Sequence, residues 1–120
     1  MQYTKTGSCL CGKCTYKVHT DKLEVGACHC SLCRKWSSGV VMGLHIDGSV
    51  ELENQDTLTW YKSSEWGKRG FCSECGTNLF WSMQDESMMV PMVGTLVDVS
   101  DLVFNSEIYI DCKPAFYEFA

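Results

Sequence analysis

The sequence predicts a mainly β fold, with short antiparallel sheets and very little helix, in a single domain over residues 1–120. The length of 120 residues suits one hydrophobic core, and the hydrophobic fraction of 45% is close to that of an average globular protein. Short apolar segments alternate with polar residues and end at glycine or at turn-forming pairs, which is typical of strands. Helix signals are scarce, so strands are expected to form the framework.

The predicted elements follow in chain order. A short helical turn is expected over residues 31–36, with Ser31 as its N-cap. The pair Asp47-Gly48 is expected to turn the chain between two strands. Pro91 lacks a backbone N–H and therefore places its strand at a sheet edge. The predicted strands cover residues 13–19, 39–46, 49–53, 57–62, 78–82, 88–93, 107–111 and 115–119.

The charge pattern excludes some classes of partner. Lys and Arg total 10 against 15 Asp and Glu, which gives a net charge of −5 and an isoelectric point near 5.0. We therefore expect binding neither to nucleic acid nor to an anionic membrane. No apolar stretch approaches the ~20 residues of a membrane span. Residues 1–5 lead into no apolar segment, so we expect no secretion signal and a cytoplasmic protein.

Cysteine is the unusual component of the sequence. The count of nine is odd, and without a secretion signal a disulfide framework is disfavoured. Residues two or three apart can direct their sulfurs at one ion from a turn, and zinc favours four thiolates in a tetrahedron. The spacing therefore predicts metal binding rather than redox chemistry. Eight cysteines form three clusters: Cys9, Cys11 and Cys14; Cys28, Cys30 and Cys33; Cys72 and Cys75.

Two clusters are expected to share one metal ion. Each contains a cysteine pair followed by a glycine, Gly12 or Gly76, which lets the backbone amides turn toward the sulfurs. Each pair supplies two ligands, so together they close a tetrahedral site with no position left for a substrate. Such closed sites are structural. The predicted ligands of this structural zinc are Cys9, Cys11, Cys72 and Cys75.

Cys14 and Cys112 are expected in the core. Cys14, Tyr16 and Val18 alternate with polar residues, which places Cys14 on the apolar face of a strand. Cys14 is therefore interpreted as a small core residue rather than a ligand. Cys112 has no neighbour in sequence that could share a metal with it, so it is also predicted to be a core residue.

The remaining cluster, Cys28, Cys30 and Cys33, has no obvious fourth ligand. Three protein ligands with one open position are the pattern of a catalytic zinc. The side chain of His29 is expected to point away from an ion that both its neighbours bind. The alternative is a second structural site, completed by His29, Cys14 or His45. Either arrangement predicts two zinc ions per chain.

Basic and aromatic residues near the clusters allow two interpretations. Arg34, Lys35, Lys68 and Arg69 are solvated surface charges by default, and the alternative is a positive rim that holds an anionic substrate. For the tryptophans, Trp60 and Trp81 are expected in the core. Trp36 and Trp66 could wall a pocket, although simple packing is the favoured interpretation.

The chain strongly resembles the glutathione-dependent formaldehyde-activating enzyme family, which also includes centromere protein V. Three segments carry the resemblance in the family's order and spacing: residues 7–16 (GSCLCGKCTY), 28–35 (CHCSLCRK) and 71–79 (FCSECGTNL). Residues 109–118 (YIDCKPAFYE) are similar to the family's closing segment. The resemblance covers nearly the whole chain. The sequence departs from the pattern at Glu107, where we expect histidine in many relatives.

The resemblance implies a zinc-bound β-tent fold, in which Cys9, Cys11, Cys72 and Cys75 match the structural set and Cys28, Cys30 and Cys33 the catalytic set. It also implies a carbon–sulfur lyase-type activity like that of S-(hydroxymethyl)glutathione synthase, with a small thiol such as glutathione and an aldehyde as partners. The alternative is a non-enzymatic zinc module for protein interaction, with two structural sites. Its expected mark is an exposed apolar patch instead of a cleft at the second metal.

Overall fold

Short strands form the framework of the protein, as predicted. The computed structural model describes residues 2–119 and has one α-helix within that range. The elements are β1 (Tyr3–Ser8), β2 (Cys14–Thr20), β3 (Glu24–Cys28), α1 (Ser31–Ser37), β4 (Val41–His45), β5 (Ser49–Gln55), β6 (Leu58–Lys62), β7 (Gly67–Cys72), β8 (Asn78–Met83), β9 (Met89–Pro91) and β10 (Val103–Ile108), with 3₁₀ turns at Val93–Thr95 and Ile110–Cys112. The mainly β prediction is confirmed.

Three small sheets make up the architecture. Their strand orders are β1-β2-β5, β10-β3-β4 and β6-β7-β8-β9. The pairs are antiparallel except that β10 runs parallel to β3, with Ile108 opposite Cys28. Pro91 lies in β9, which is an edge strand as predicted. None of the helices formed by residues 2–119 has the length and hydropathy that a membrane crossing needs.

The main core lies between the β1-β2-β5 sheet and the four-stranded sheet. Tyr16 of β2 packs edge-on against Phe80 of β8, with 4.8 Å between ring centroids, and Trp60 also stacks on Phe80. Cys9 and Cys72 belong to this core cluster, so the candidate structural metal site is part of the hydrophobic interior. A second, smaller cluster around Cys33, Val41 and Met92 backs the other cysteine group.

The C-terminal segment departs from the prediction. Residues 115–119 form no strand, and the strand expected over 107–111 instead spans Val103–Ile108 and ends in a 3₁₀ turn. Cys112 lies in that turn and is exposed, so its predicted place in the core is wrong. The physical reason is that the chain leaves the sheet after Ile108 and crosses the surface beside the second cysteine group.

The α-helix is correctly predicted, but its N-cap is not the residue that was expected. Cys30, not Ser31, is the N-cap, and its Sγ accepts a hydrogen bond from the backbone N–H of Cys33 at 3.3 Å. A sulfur atom therefore takes the position that a hydroxyl oxygen usually fills. This bond holds Cys30 and Cys33 on the same side of the first turn, which is where two ligands for one ion have to lie.

Candidate metal centres

The turn that contains Gly12 and the turn that contains Gly76 lie next to each other at the main core. In the first turn, the N–H of Gly12 donates to the carbonyl of Cys9 at 3.1 Å, and in the second the N–H of Gly76 donates to the carbonyl of Cys72 at 2.8 Å. Both glycines have a positive φ, 82° and 78°, as the tight turns require. The N–H of Leu10 donates to the hydroxyl of Thr77 at 3.0 Å, which ties one turn to the other.

The four sulfurs of these turns form a compact group that could hold a metal ion. The Sγ atoms of Cys9, Cys11, Cys72 and Cys75 all lie within 4.8 Å of one another. The Sγ atom of Cys11 is 3.6 Å from that of Cys9 and 3.7 Å from that of Cys72. A tetrahedral zinc with bonds of about 2.3 Å requires sulfurs about 3.8 Å apart, so these residues fit that ion.

Local hydrogen bonds prepare two of these thiols for a metal. The hydroxyl of Thr77 and nearby backbone N–H groups stabilise the thiolate of Cys75 and lower its pKa to about 5. The hydroxyl of Thr57 likewise lowers the pKa of Cys72 to about 7, although burial opposes the shift. Because zinc binds thiolates rather than thiols, these bonds reduce the number of protons that binding must displace near neutral pH.

The second group consists of Cys28, Cys30 and Cys33, whose Sγ atoms also lie within 4.8 Å of one another. Cys28 ends β3, Cys30 caps α1, and Cys33 lies in the first turn of α1. Among residues 2–119, these three and no fourth Cys, His, Asp or Glu form the group. The arrangement can bind one ion through three sulfurs, and all three cysteines line the cavity described below.

Arg69 of β7 brings a positive charge into direct contact with this group. It is 4% exposed, its Nη1 donates to the Sγ of Cys33 at 3.6 Å, and its guanidinium lies 5.0 Å from the ring centroid of Trp36. Hydrogen bonds from Cys28 and from Arg69 lower the pKa of Cys33 to about 5 despite burial. The default expectation of a solvated Arg69 is therefore wrong, because the thiolate and the indole replace the water around its guanidinium.

His29 lies between two cysteines of the group but makes its contacts elsewhere. The ring is fully buried, with Nδ1 2.7 Å from the hydroxyl of Tyr117 and Nε2 2.8 Å from a carboxylate oxygen of Glu107. Tyr117 and Phe119 also pack on the imidazole. Both ring nitrogens are therefore occupied by partners from the C-terminal segment. No local pattern in the sequence links Glu107 or Tyr117 to His29, so the sequence does not predict either residue as its partner.

A cavity of about 460 Å³ adjoins the three-cysteine group. All three cysteines line it, and so do Arg69, His45 and the exposed Cys112. Trp66 and Trp81 form part of the wall. Trp81 also packs against the second core cluster, as predicted, whereas the favoured interpretation that Trp66 only packs is wrong. Trp36 lies behind Arg69 and not among the lining residues. The volume is within the range of small-molecule sites.

The remaining candidate ligands lie apart from the group. Cys14 is 3% exposed in the main core, as predicted, and its thiol contacts the hydroxyl of Thr57 at 3.1 Å. His45 lines the cavity without joining the sulfurs. Burial lowers the pKa of His45, and the positive charge of Lys22 adds to the effect.

Comparisons with known proteins identify the family and the fold. The family model described as glutathione-dependent formaldehyde-activating enzyme matches residues 4–112, and the chain belongs to this family. An uncharacterized lyase of Schizosaccharomyces pombe is 28% identical over 115 residues, which are 95% of this chain and 84% of that protein. A crystal structure of a Rhodobacter sphaeroides protein shares the fold, with a TM-score of 0.61 and 19% identity, over 83% of this chain and 99% of the other.

Proposed function

We propose that the protein is a zinc-dependent lyase that makes or breaks a carbon–sulfur bond between a small thiol and an aldehyde. The observation that carries the proposal is the convergence of the Cys28, Cys30 and Cys33 sulfurs at the wall of a cavity of about 460 Å³. Three ligands beside a space that a small molecule can enter are the arrangement of a catalytic zinc. Glutathione and formaldehyde are the partners named in the family description.

When zinc is bound there, it can hold a substrate thiol as thiolate near neutral pH and polarise an aldehyde carbonyl. In the forward direction the thiol sulfur bonds to the carbonyl carbon. The electron pair of the carbonyl π bond moves to the oxygen, which takes up the proton that the thiol released. The reverse direction breaks the same carbon–sulfur bond and returns thiol and aldehyde.

The residues of the chain would supply charge balance and a proton acceptor. Three thiolates and a divalent ion sum to one negative charge, which the buried guanidinium of Arg69 offsets. His45 lines the same cavity, and its lowered pKa keeps the imidazole neutral near pH 7. A neutral imidazole can accept the proton of an incoming thiol and return it to the product oxygen.

The other cysteine group is proposed to hold a structural zinc. Cys9 and Cys72 are almost fully buried in the main core, and four sulfurs close the coordination sphere. All nine cysteines are free thiols in this structure. Both groups need reduced thiols to bind metal, so a reducing compartment such as the cytoplasm suits the protein.

The test compares Cys30→Ser with Cys14→Val, which removes a core thiol outside both groups. Native mass spectrometry would count zinc. Exchange NMR with ¹³C-formaldehyde and small thiols would measure the rate at which each thiol adduct forms and breaks. We expect two zinc ions and accelerated exchange in the wild type and in Cys14→Val. Cys30→Ser should carry one zinc, exchange at the uncatalysed rate and keep the wild-type circular dichroism.

Two outcomes would contradict the proposal. If Cys30→Ser unfolds as completely as Cys72→Ser, the second site is structural and the protein is better explained as an interaction module. If the wild type with two zinc ions accelerates exchange for no thiol, the lyase proposal fails directly. The interaction hypothesis expects an apolar patch at the second site, whereas the three sulfurs line a cavity there, and this favours the enzyme.

A further inference from the structure

The cavity beside the three-cysteine group is walled mainly by apolar side chains. They come from β4, the β6–β7 loop, β8, β9 and the residue after it, and the end of β10. Its principal apolar members are Val41, Trp66, Trp81, Val90, Met92 and Ile108. A wall of this kind stabilises a ligand mainly by removing apolar surface from water.

Apart from the three cysteines of the group, charged side chains are nearly absent from the same wall. Among residues 2–119, Arg69 is the one lysine or arginine that lines the cavity, and no aspartate or glutamate lines it. Arg69 already contacts the Sγ of Cys33 and the ring of Trp36. Glutathione carries two carboxylates and one ammonium at neutral pH. In this cavity the ammonium would find no carboxylate side chain, and unpaired charges are costly to remove from water.

We propose that the substrate thiol of this protein carries an aromatic or branched apolar group rather than the peptide of glutathione. The inference rests on the proposed function and specifies its substrate class. The sulfur would occupy the open position beside Cys28, Cys30 and Cys33, and the apolar group would lie against the tryptophan wall.

The tryptophan pair is arranged to receive a ring. Trp66 and Trp81 meet edge to face, with centroids 5.5 Å apart and an angle of 65° between their planes. Trp66 is 55% exposed, so much of its surface is open to cover by a ligand. Met88, also exposed, and Met92 line the same space, and thioethers contact aromatic rings favourably.

The experiment uses the protein loaded with cobalt(II), whose absorption bands report the ligands of the metal. Two primary thiols with similar sulfur chemistry, 2-phenylethanethiol and 2-mercaptoethanol, are titrated beside glutathione. We expect 2-phenylethanethiol to shift the bands with at least about tenfold lower dissociation constant than either of the other two, which corresponds to about 1.4 kcal/mol. Trp66→Ala should remove most of that preference.

Tyr61→Ala is the matched control, because Tyr61 is an exposed aromatic residue of β6 that does not line the cavity. It should keep the wild-type preference. A second readout avoids metal coordination: ethylbenzene, which has no thiol, should give saturation-transfer NMR signals with the zinc-loaded wild type and with Tyr61→Ala, but much weaker ones with Trp66→Ala.

Two failures are distinguishable. If glutathione or 2-mercaptoethanol binds as tightly as 2-phenylethanethiol, or if ethylbenzene gives no saturation-transfer signal with the wild type, the substrate class proposed here is overturned and the lyase proposal stands. If no thiol shifts the cobalt bands, the open coordination position is overturned, and the proposed function and this inference fail together.

Discussion

The imidazole of His29 and the carboxylate of Glu107 lie 2.8 Å apart, although 78 positions separate them in the sequence. Their contact joins the loop of the three-cysteine group to β10, which pairs in parallel with β3. β10 ends at Ile108, and the chain then continues through Tyr109 and Cys112 along the wall of the cavity. Glu107 therefore links the C-terminal side of the cavity to the cysteine loop through His29, which is not part of the three-cysteine group.

Glu107→Ala should lower the free energy of unfolding by about 1–3 kcal/mol, because it leaves one nitrogen of the buried His29 ring without a partner. Glu107→Gln should cost less, since the amide oxygen can still accept a hydrogen bond. Urea unfolding of the zinc-loaded proteins measures both. Glu118→Ala is the control, as Glu118 is exposed in the same segment. Equal losses in Glu107→Ala and Glu118→Ala would show that the contact with His29 contributes nothing.

Zinc removal should proceed in two steps. The metal of Cys28, Cys30 and Cys33 adjoins the open cavity and should leave first, with little change in circular dichroism. The other site includes Cys9 and Cys72 of the main core, so the second ion should leave together with cooperative unfolding. A chelator titration followed by a zinc-sensitive dye and by far-ultraviolet circular dichroism would show the order. Cys30→Ser should display the second step alone, and a single step in the wild type would contradict the assignment.

Arg69→Gln should weaken zinc binding at the three-cysteine group by about 10–100-fold, as loss of an outer contact to a metal site usually does. The reason is that Arg69 stabilises the Cys33 thiolate and offsets the charge of the group. Arg69→Lys should recover part of the loss, because an ammonium cannot both pack on Trp36 and donate to sulfur as a guanidinium does. Competition with a chelator of known affinity gives the measurement.

The control for Arg69 is Lys68→Gln on the same strand. Successive side chains of a strand point to opposite faces, and Lys68 lies over Trp60 and pairs with Glu86 instead. Loss of the Lys68 charge should change the affinity for zinc by less than about twofold, because Lys68 contacts Trp60 and Glu86 rather than the sulfurs of the group. If the two substitutions weaken binding equally, general surface charge and not the contact with Cys33 explains the effect.

The cysteine groups could be predicted because their members are close in sequence. Cys28, Cys30 and Cys33 are held together by one turn of chain, whatever the rest of the fold does. The contacts that shape the cavity are of another kind. The His29–Glu107 contact depends on how β10 crosses the molecule, and no local pattern in the sequence reports that path.

Among the strands missed from the sequence, β1 and β7 bury few apolar side chains, whereas β3 buries three successive residues, Val25, Gly26 and Ala27, and therefore shows no alternation either. β7 buries Gly67, Arg69, Gly70 and Cys72, and β1 buries Lys5 and Gly7, so regular alternation of apolar side chains is absent from both. The glycines are buried because aromatic rings lie across them: a Cβ on Gly70 would approach Trp60 to 2.9 Å, and one on Gly7 would overlap Tyr16. Burial of backbone under a ring leaves no hydrophobic signal at the glycine itself.

His45 should make the protein less stable in acid. Burial lowers its pKa in the folded state below the usual value of about 6.5, and Lys22 adds to the shift while Glu24 opposes it. Between the two pKa values the unfolded chain binds more protons than the folded one, so stability falls as the pH drops below about 6.5. His45→Gln removes this proton uptake and should reduce the loss of unfolding free energy between pH 7.5 and pH 5.5.

Protonation of the metal-binding thiolates also lowers stability in acid, but it acts on the wild type and on His45→Gln alike. The difference between their pH slopes, measured by urea unfolding in the presence of zinc, therefore isolates His45. His19→Gln is the matched control, because His19 lies at the surface beside Glu51 and away from the cavity. If His45→Gln and His19→Gln keep the same slope as the wild type, His45 takes up no proton on unfolding, and its proposed role as a neutral base in the cavity loses its support.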